Sequence, residues 1–276
     1  LYLIITISLM KIFCLSIHNK DYEQLKNLNL IPVGLGKEQF DSNWLNDKGE
    51  NNISEKNPNF GEYTFHYNLW KNQIIENDYN NWIGFCSYRR FWTKNVKEKL
   101  NSYQELNKYI VKKKDTDWDD FDVILGEPLI FKKIKNIKLI KRNIFEVIKN
   151  PKVLFKKNSL MDQFKIFHGS FFLEKSLNFL SNNEKEGFIK FLNGYELNPY
   201  NMFICRNTRI LYQFYEEIFP WLLKCENEFR NHNLDGYEKK RIYGFLAERF
   251  MPYWFKKNFR TTTCQISFLD LNQNKK

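Results

Sequence analysis

Residues 11–17, 82–87, 121–126, 199–205 and 264–269 are apolar runs, each short enough for one strand buried on both faces. Residues 31–36 read as a further extended piece with turn residues, and 41–57 as a polar loop. Between the runs the apolar period changes. Phe60, Tyr63, Tyr67, Trp70 and Ile74 recur at helical spacing and predict a helix over 58–75, with Asn57 as N-cap and Pro58 in its first position. A polar helical stretch follows to about Lys114, and helical patterns cover 159–195, 207–231 and 235–257. Strands separated by helices predict an α/β sandwich: a mostly parallel central sheet flanked by helices, with a helical C-terminal part. With no internal repeat and no linker, residues 10–276 read as one domain.

The strand at 82–87 ends in Tyr88-Arg89-Arg90-Phe91-Trp92. Packing gives a buried strand no reason to finish in paired guanidiniums; delivery of its last residues to a ligand cleft does. Arginine's planar, permanently charged fork matches phosphate and carboxylate oxygens. Ligands of open α/β sheets sit beyond the carboxyl ends of the strands. Viewed alone, the segment reads equally well as two surface charges beside a hydrophobic strand.

Composition narrows the classes. In 276 residues, 43% hydrophobic and 17% aromatic content argue for a globular chain with a sizeable core. A net charge of +11 favours polyanionic partners: nucleotide phosphates, nucleic acid or an anionic membrane. The aromatics fall at core spacing and no reader motif is present, so nucleic acid is not the expected partner. Five scattered cysteines without CxxC spacing argue against a disulfide framework or zinc site, and for a reducing cytoplasm. Residues 1–17 are apolar but lack a basic flank and a cleavage site, and they are short for a membrane span. Met10-Lys11-Ile12-Phe13 looks like a natural start, so 1–9 read as a non-native upstream extension. The basic insertion 132–157, whose one acidic residue is Glu146, reads either as an amphipathic helix on the inner face of the plasma membrane or as a solvated face.

Asn51, Asn52, Ser54, Lys56, Asn57 and Glu62 gather at the start of the predicted 58–75 helix. Such groups can hydrogen-bond a ligand whose negative charge the helix N-terminus favours. Capping explains Ser54 and Asn57 as well, and a first-turn carboxylate such as Glu62 suits a helix on its own. Asp115-Thr116-Asp117 is nominally a DxD, and oxygen clusters suit Mn or Mg. It precedes a strand rather than following one, so it reads as a solvated acidic loop and no metal ligands are assigned. His168 reads as a helix-end cap or an acceptor contact. Glu248, beside Arg249 near an apolar helix face, reads as a raised-pKa base or as half of a structural ion pair. No Walker, GxGxxG, GxSxG or kinase signature occurs.

Four blocks then resemble a known family. They are Gly49-Glu50-Asn51-Asn52-Ile53-Ser54-Glu55-Lys56-Asn57 with Glu62-Tyr63-Thr64 and Trp70-Lys71-Asn72; Ile83-Gly84-Phe85-Cys86-Ser87-Tyr88-Arg89-Arg90-Phe91; Tyr200-Asn201-Met202-Phe203-Ile204; and Arg241-Ile242-Tyr243-Gly244-Phe245-Leu246-Ala247-Glu248-Arg249. In this order they resemble the glycosyltransferase-like domain, long labelled of unknown function, of bacterial capsular-polysaccharide, exopolysaccharide and O-antigen loci. The family pattern usually has Gly-Asp-Asn, Cys-Glu-Leu-Thr and His-Tyr-Arg-Arg; this chain has Glu50, Gly61, Tyr63 and Ser87 at the differing positions.

The resemblance implies a GT-A-like, Rossmann-type fold that transfers a sugar from a nucleotide-sugar donor to a glycan or lipid-linked glycan acceptor. On it, Arg89 and Arg90 are expected at the donor diphosphate, and Ser54, Lys56, Asn57, Glu62 and Tyr88 elsewhere around the donor. Asn201 and His168 are expected at the sugar or acceptor, with Glu248 as a base or donor-sugar contact. Arginines at the strand end would take the electrostatic role of a DxD-held cation. Ser87 in place of the histidine keeps open a second expectation, a catalytically inert glycan-assembly protein of the same fold.

Overall fold

The computed structural model describes residues 10–73, 75, 81–131 and 158–271. The readings of 1–9 and of the basic insertion 132–157 lie outside the described residues. The apolar runs form β1 (Met10–Ser16), β4 (Trp82–Ser87), β6 (Val123–Gly126), β9 (Phe203–Cys205) and β10 (Thr261–Phe268). β2 (Leu30–Gly34), β3 (Leu45–Asn46) and β5 (Arg90–Thr93) complete the main sheet, and β7 (Leu129–Ile130) pairs with β8 (Glu196–Leu197) in a small ribbon.

The sheet runs β3-β2-β1-β4-β5-β10-β6-β9, and β9 also pairs with β4, closing the second half on itself. The expected parallel arrangement holds for β3-β2-β1-β4 and for β6-β10. Elsewhere the sheet is antiparallel, at β4-β5, β5-β10, β4-β9 and β6-β9. The mostly parallel expectation is therefore corrected to a mixed sheet. The cause is local. Tyr88 and Arg89 form a two-residue connection between paired Ser87 and Arg90, and so short a return permits only an antiparallel neighbour. Residues 90–93, expected in a polar helical stretch, become this returning strand, and the helix there is Tyr103–Tyr109.

Both faces of the sheet are covered, which is why its strands read as continuous apolar runs. Side chains alternate between the two cores. Phe13, Leu15, Ile83 and Phe85 enter one, while Ile12, Cys14, Trp82 and Cys86 enter the other. All five cysteines are free and buried. The first core is roofed by the helices Tyr63–Asn72, Leu160–His168, Thr208–Phe229 and Ile242–Asn258. Among the described residues no helix is long and apolar enough to cross a membrane.

The helix expected over 58–75 is two. Asn57–Phe60 stops at Gly61, whose φ of 59° and ψ of −134° suit glycine alone, and Tyr63–Asn72 starts afresh. Asn57 does not cap a helix. Its Nδ2 instead donates to Gly61 O (2.8 Å) and Thr64 Oγ1 (3.2 Å), bracing the break. The strand expected from residue 199 begins only at Phe203, because Tyr200 (φ 77°) and Asn201 (φ 52°) are both left-handed.

Candidate functional site

β1 runs next to β2 on one side and β4 on the other, so the chain reverses its direction of travel across the sheet between β1 and β4. A crevice forms beyond the carboxyl ends of strands at such a point. A cavity of about 320 Å³ lies there. Its floor comes from the strand ends, Leu15, Phe85, Cys86 and Ser87; Tyr88, Arg89 and Arg90 follow directly from β4. The other wall comes from Asn57, Gly61 and Glu62 at the helix break, the Tyr200-Asn201-Met202 turn, and Arg241, Gly244, Phe245 and Glu248 at the start of the last long helix.

The two arginines that end the strand are held differently. The Arg90 guanidinium lies 4.2 Å from the ring centre of Tyr200 and 5.7 Å from that of Phe268. The Arg89 guanidinium lies 4.8 Å from the ring of Tyr88. Among the described residues neither makes an ion pair or a side-chain hydrogen bond, so their donors face the cavity and solvent. The turn itself is rigidly attached: Tyr88 N–H donates to Leu15 O (3.1 Å), and Arg89 O accepts from Leu269 N–H (3.0 Å).

Opposite them sits a satisfied polar network. Glu62 accepts from Arg241 Nη2 (2.8 Å) on one oxygen and from Asn201 Nδ2 (3.1 Å) on the other. Asn201 also donates to Gly244 O (3.2 Å) and accepts from the buried Tyr63 hydroxyl (3.3 Å). Glu248 Oε1 accepts from Tyr200 N–H at 2.7 Å. Burial pushes the Glu248 carboxyl above its ordinary range, opposed by Arg249, the Tyr200 amide and Arg90. The structural ion pair weighed for Glu248 is a long one, 3.9 Å to Arg249 Nη1, which donates instead to Phe245 O (3.0 Å).

The cavity thus gathers Asn57, Glu62, Tyr88, Arg89, Arg90, Asn201 and Glu248 from across the sequence. Ser54, Lys56 and His168 do not line it. Ser54 Oγ donates to Asn52 Oδ1 (2.8 Å), and Lys56 pairs with Glu226 (2.8 Å) on the outer side of the helix break. His168 lies behind the cavity wall, its ring stacked on Phe245 with centroids 4.2 Å apart and its Nδ1 2.8 Å from Glu238 O. Arg241, Tyr200 and Tyr237, also cavity residues, were not expected in the site. Tyr200 and Arg241 each stood in a matching block, the one available signal; Tyr237 had none.

The nominal DxD lies at the far end of the sheet, before β6, which runs in the same sense as β4. Its Asp115 caps a short 3₁₀ turn and pairs with Lys94; just beyond it, Asp119 pairs with Lys114 and Asp122 lies 3.6 Å from both Arg206 and Arg260. Among the described residues no three His, Cys, Asp or Glu side chains converge as metal ligands would.

A family model described as a domain of unknown function (DUF4422) matches residues 11–259. No curated protein matches the chain. Among solved structures, the apo structure of the WbbM bifunctional glycosyltransferase matches over 95% of this chain, with a TM-score of 0.68 and 18% sequence identity. This chain spans 45% of that one, and at such identity the likeness is one of fold.

Proposed function

The chain belongs to the DUF4422 family, and from that footing we propose that it is a glycosyltransferase, moving a sugar from a nucleotide-sugar donor to a growing surface polysaccharide or lipid-linked glycan. The observation that carries this reading is the pair Arg89 and Arg90, free of carboxylate partners among the described residues and set at the mouth of a cleft beyond β1 and β4. The fold shared with a glycosyltransferase supports it, as does the place of the cleft at the reversal point of the sheet, which is where a GT-A-like reading expects the donor.

In such a transfer the bond between the sugar's anomeric carbon and the donor diphosphate breaks. A bond to the acceptor hydroxyl oxygen forms, and the hydroxyl proton passes to the departing diphosphate or to solvent. Negative charge builds on the diphosphate oxygens, where two guanidinium forks supply charge-assisted hydrogen bonds that strengthen as the bond breaks. The cleft carboxylates suit a divalent ion poorly. Both oxygens of Glu62 are occupied, and one of Glu248 is held by a backbone amide. The arginines therefore take the electrostatic role that Mn or Mg would otherwise supply. The family resemblance supports action on a carrier at the inner leaflet, with the chain on the cytoplasmic side.

One observation favours a second reading, an inert glycan-assembly protein. Ser87, where relatives of this pattern carry histidine, has a buried hydroxyl with no hydrogen-bond partner among the described residues. The test is a thermal-shift screen of nucleotide sugars, followed by assay of nucleoside diphosphate release with and without glycan acceptors. Stabilisation by one donor with acceptor-dependent release supports transfer. Stabilisation without any release supports the inert reading, and no response to any nucleotide sugar overturns both.

A further inference from the structure

Tyr200 and Asn201 are two successive left-handed residues, neither of them glycine. L side chains rarely adopt that conformation, and tyrosine more rarely than asparagine. Such a turn persists only where its surroundings over-determine it. Here they do. Glu248 Oε1 takes the Tyr200 N–H at 2.7 Å, while the Asn201 side chain is tied to Glu62, Gly244 O and the Tyr63 hydroxyl. The outcome of the turn is the position of the Tyr200 ring, 4.2 Å from the Arg90 guanidinium. A flat cation stacked on an aromatic face keeps its in-plane donors free and aimed along that plane.

We infer that Glu248 is a positioning residue, whose carboxylate locks the Tyr200-Asn201 turn and through the Tyr200 ring orients Arg90 toward the anionic ligand. On this inference it positions and does not accept the proton. The oxygen that makes the short contact is committed to a backbone donor. The other, 3.9 Å from Arg249, makes no hydrogen bond among the described residues and is the oxygen a general base would use, so Glu248→Gln decides between the roles. This inference rests on the anion-binding reading of the cleft but not on sugar transfer itself.

The full-length chain separates the roles through Glu248→Gln, Glu248→Ala, Tyr200→Ala and the double variant Glu248→Ala/Tyr200→Ala. The first readout needs no ligand. In ¹⁵N-arginine spectra, the Arg90 side-chain resonance carries a ring-current shift from Tyr200. Glu248→Gln, which still accepts the Tyr200 amide, keeps that shift, and both alanine variants lose it. The second readout is the affinity for inorganic pyrophosphate, expected within about threefold of the parent for Glu248→Gln and lowered about tenfold in each alanine variant. The double variant is no worse than either single one, because both act through the same guanidinium.

An Arg90 resonance unmoved by Glu248→Ala overturns the inference, whatever the ligand. So does a Glu248→Gln variant that keeps shift and pyrophosphate affinity but loses transfer a hundredfold or more, the signature of a missing base. Failure of the parent to bind pyrophosphate, with the resonance behaving as expected, upholds the Glu248–Tyr200–Arg90 linkage and removes the nucleotide reading alone. Should Glu248→Ala not fold, Tyr200→Ala and Glu248→Gln give the same discrimination.

Discussion

Gly61 and Arg241 share one volume: a Cβ built on Gly61 would collide with Arg241 Nη2, the atom that pairs with Glu62 at 2.8 Å. Gly61 therefore does two things. It accepts a backbone conformation closed to other residues, and it leaves room for a guanidinium to reach the cleft wall. Where relatives of this pattern carry cysteine, this chain has the glycine. Gly61→Ala is expected to cost about 2–3 kcal/mol from backbone strain and the displaced pair, lowering the melting temperature by roughly 4–10 °C. Calorimetry checks it, and an unchanged melting temperature would show that the wall relaxes freely.

The arginines at the end of β4 predict the opposite balance. Neither is held by an ion pair among the described residues, so Arg89→Ala and Arg90→Ala should each change stability by less than about 1 kcal/mol. Each should weaken nucleoside diphosphate binding by about 10- to 100-fold, the worth of hydrogen bonds to a charged group. Arg90→Lys keeps the charge but not the fork, and should recover only part of the loss. Titration calorimetry in excess chelator measures these values and tests the cation role. A strict requirement for Mn or Mg would refute it.

His66 gives a pH prediction. It is fully buried, with Nδ1 2.7 Å from the Tyr215 hydroxyl, and burial lowers its pKa from 6.5 to about 3. The native state thus holds the ring neutral while the unfolded chain protonates it. Stability from this group is complete above pH 6.5 and is lost as pH falls toward 3, by up to ~1.4 kcal/mol per unit. Urea unfolding at pH 7.5 and 5.0 should show that fall, and His66→Gln should flatten it.

Asp47 is a buried carboxylate that sequence reasoning passed over inside a polar loop. Both its oxygens accept from Gly36 N–H (3.2 and 3.1 Å), and one also takes the Thr64 hydroxyl at 2.5 Å. It ties the end of β2 to the helix behind the cleft. Asp47→Ala leaves the buried Gly36 amide without an acceptor and the Thr64 hydroxyl with Gly61 O alone (3.1 Å), and should cost about 2–3 kcal/mol, against about 1 kcal/mol for Thr64→Val. Equal losses in the two variants would mean that the Gly36 amide finds water instead.

How far the sequence exposed this site depends on range. Arg89 and Arg90 were legible because an apolar run of fixed length had to stop, and it stopped in charge. Gly61 and the Tyr200-Asn201 turn were not, since each interrupts a pattern that reads as continuous: a helix over 58–75 and a strand from 199. What breaks those patterns is tertiary. Glu62 meets Arg241 across 179 residues, and Tyr200 meets Glu248 across 48. Lys56 and His168 fall outside the cavity for the complementary reason. A cation near a helix start finds a carboxylate such as Glu226 as readily as a ligand, and a histidine on an apolar helix packs.

The last strand carries a consequence for how this protein is made. β10 pairs with β5 through Phe268↔Arg90 and Ser267↔Phe91, and the amide just after it binds Arg89 O. Yet β10 starts at Thr261, beyond the stretch over which the family pattern is recognised. A chain cut at that recognised edge would keep every residue named for the cleft and lose the strand that braces its two arginines. On the ribosome the same order holds. The β4–β5 hairpin leaves the ribosome well before residues 261–269, so Arg89 and Arg90 gain their bracing neighbour only after the cleft's other walls have been made.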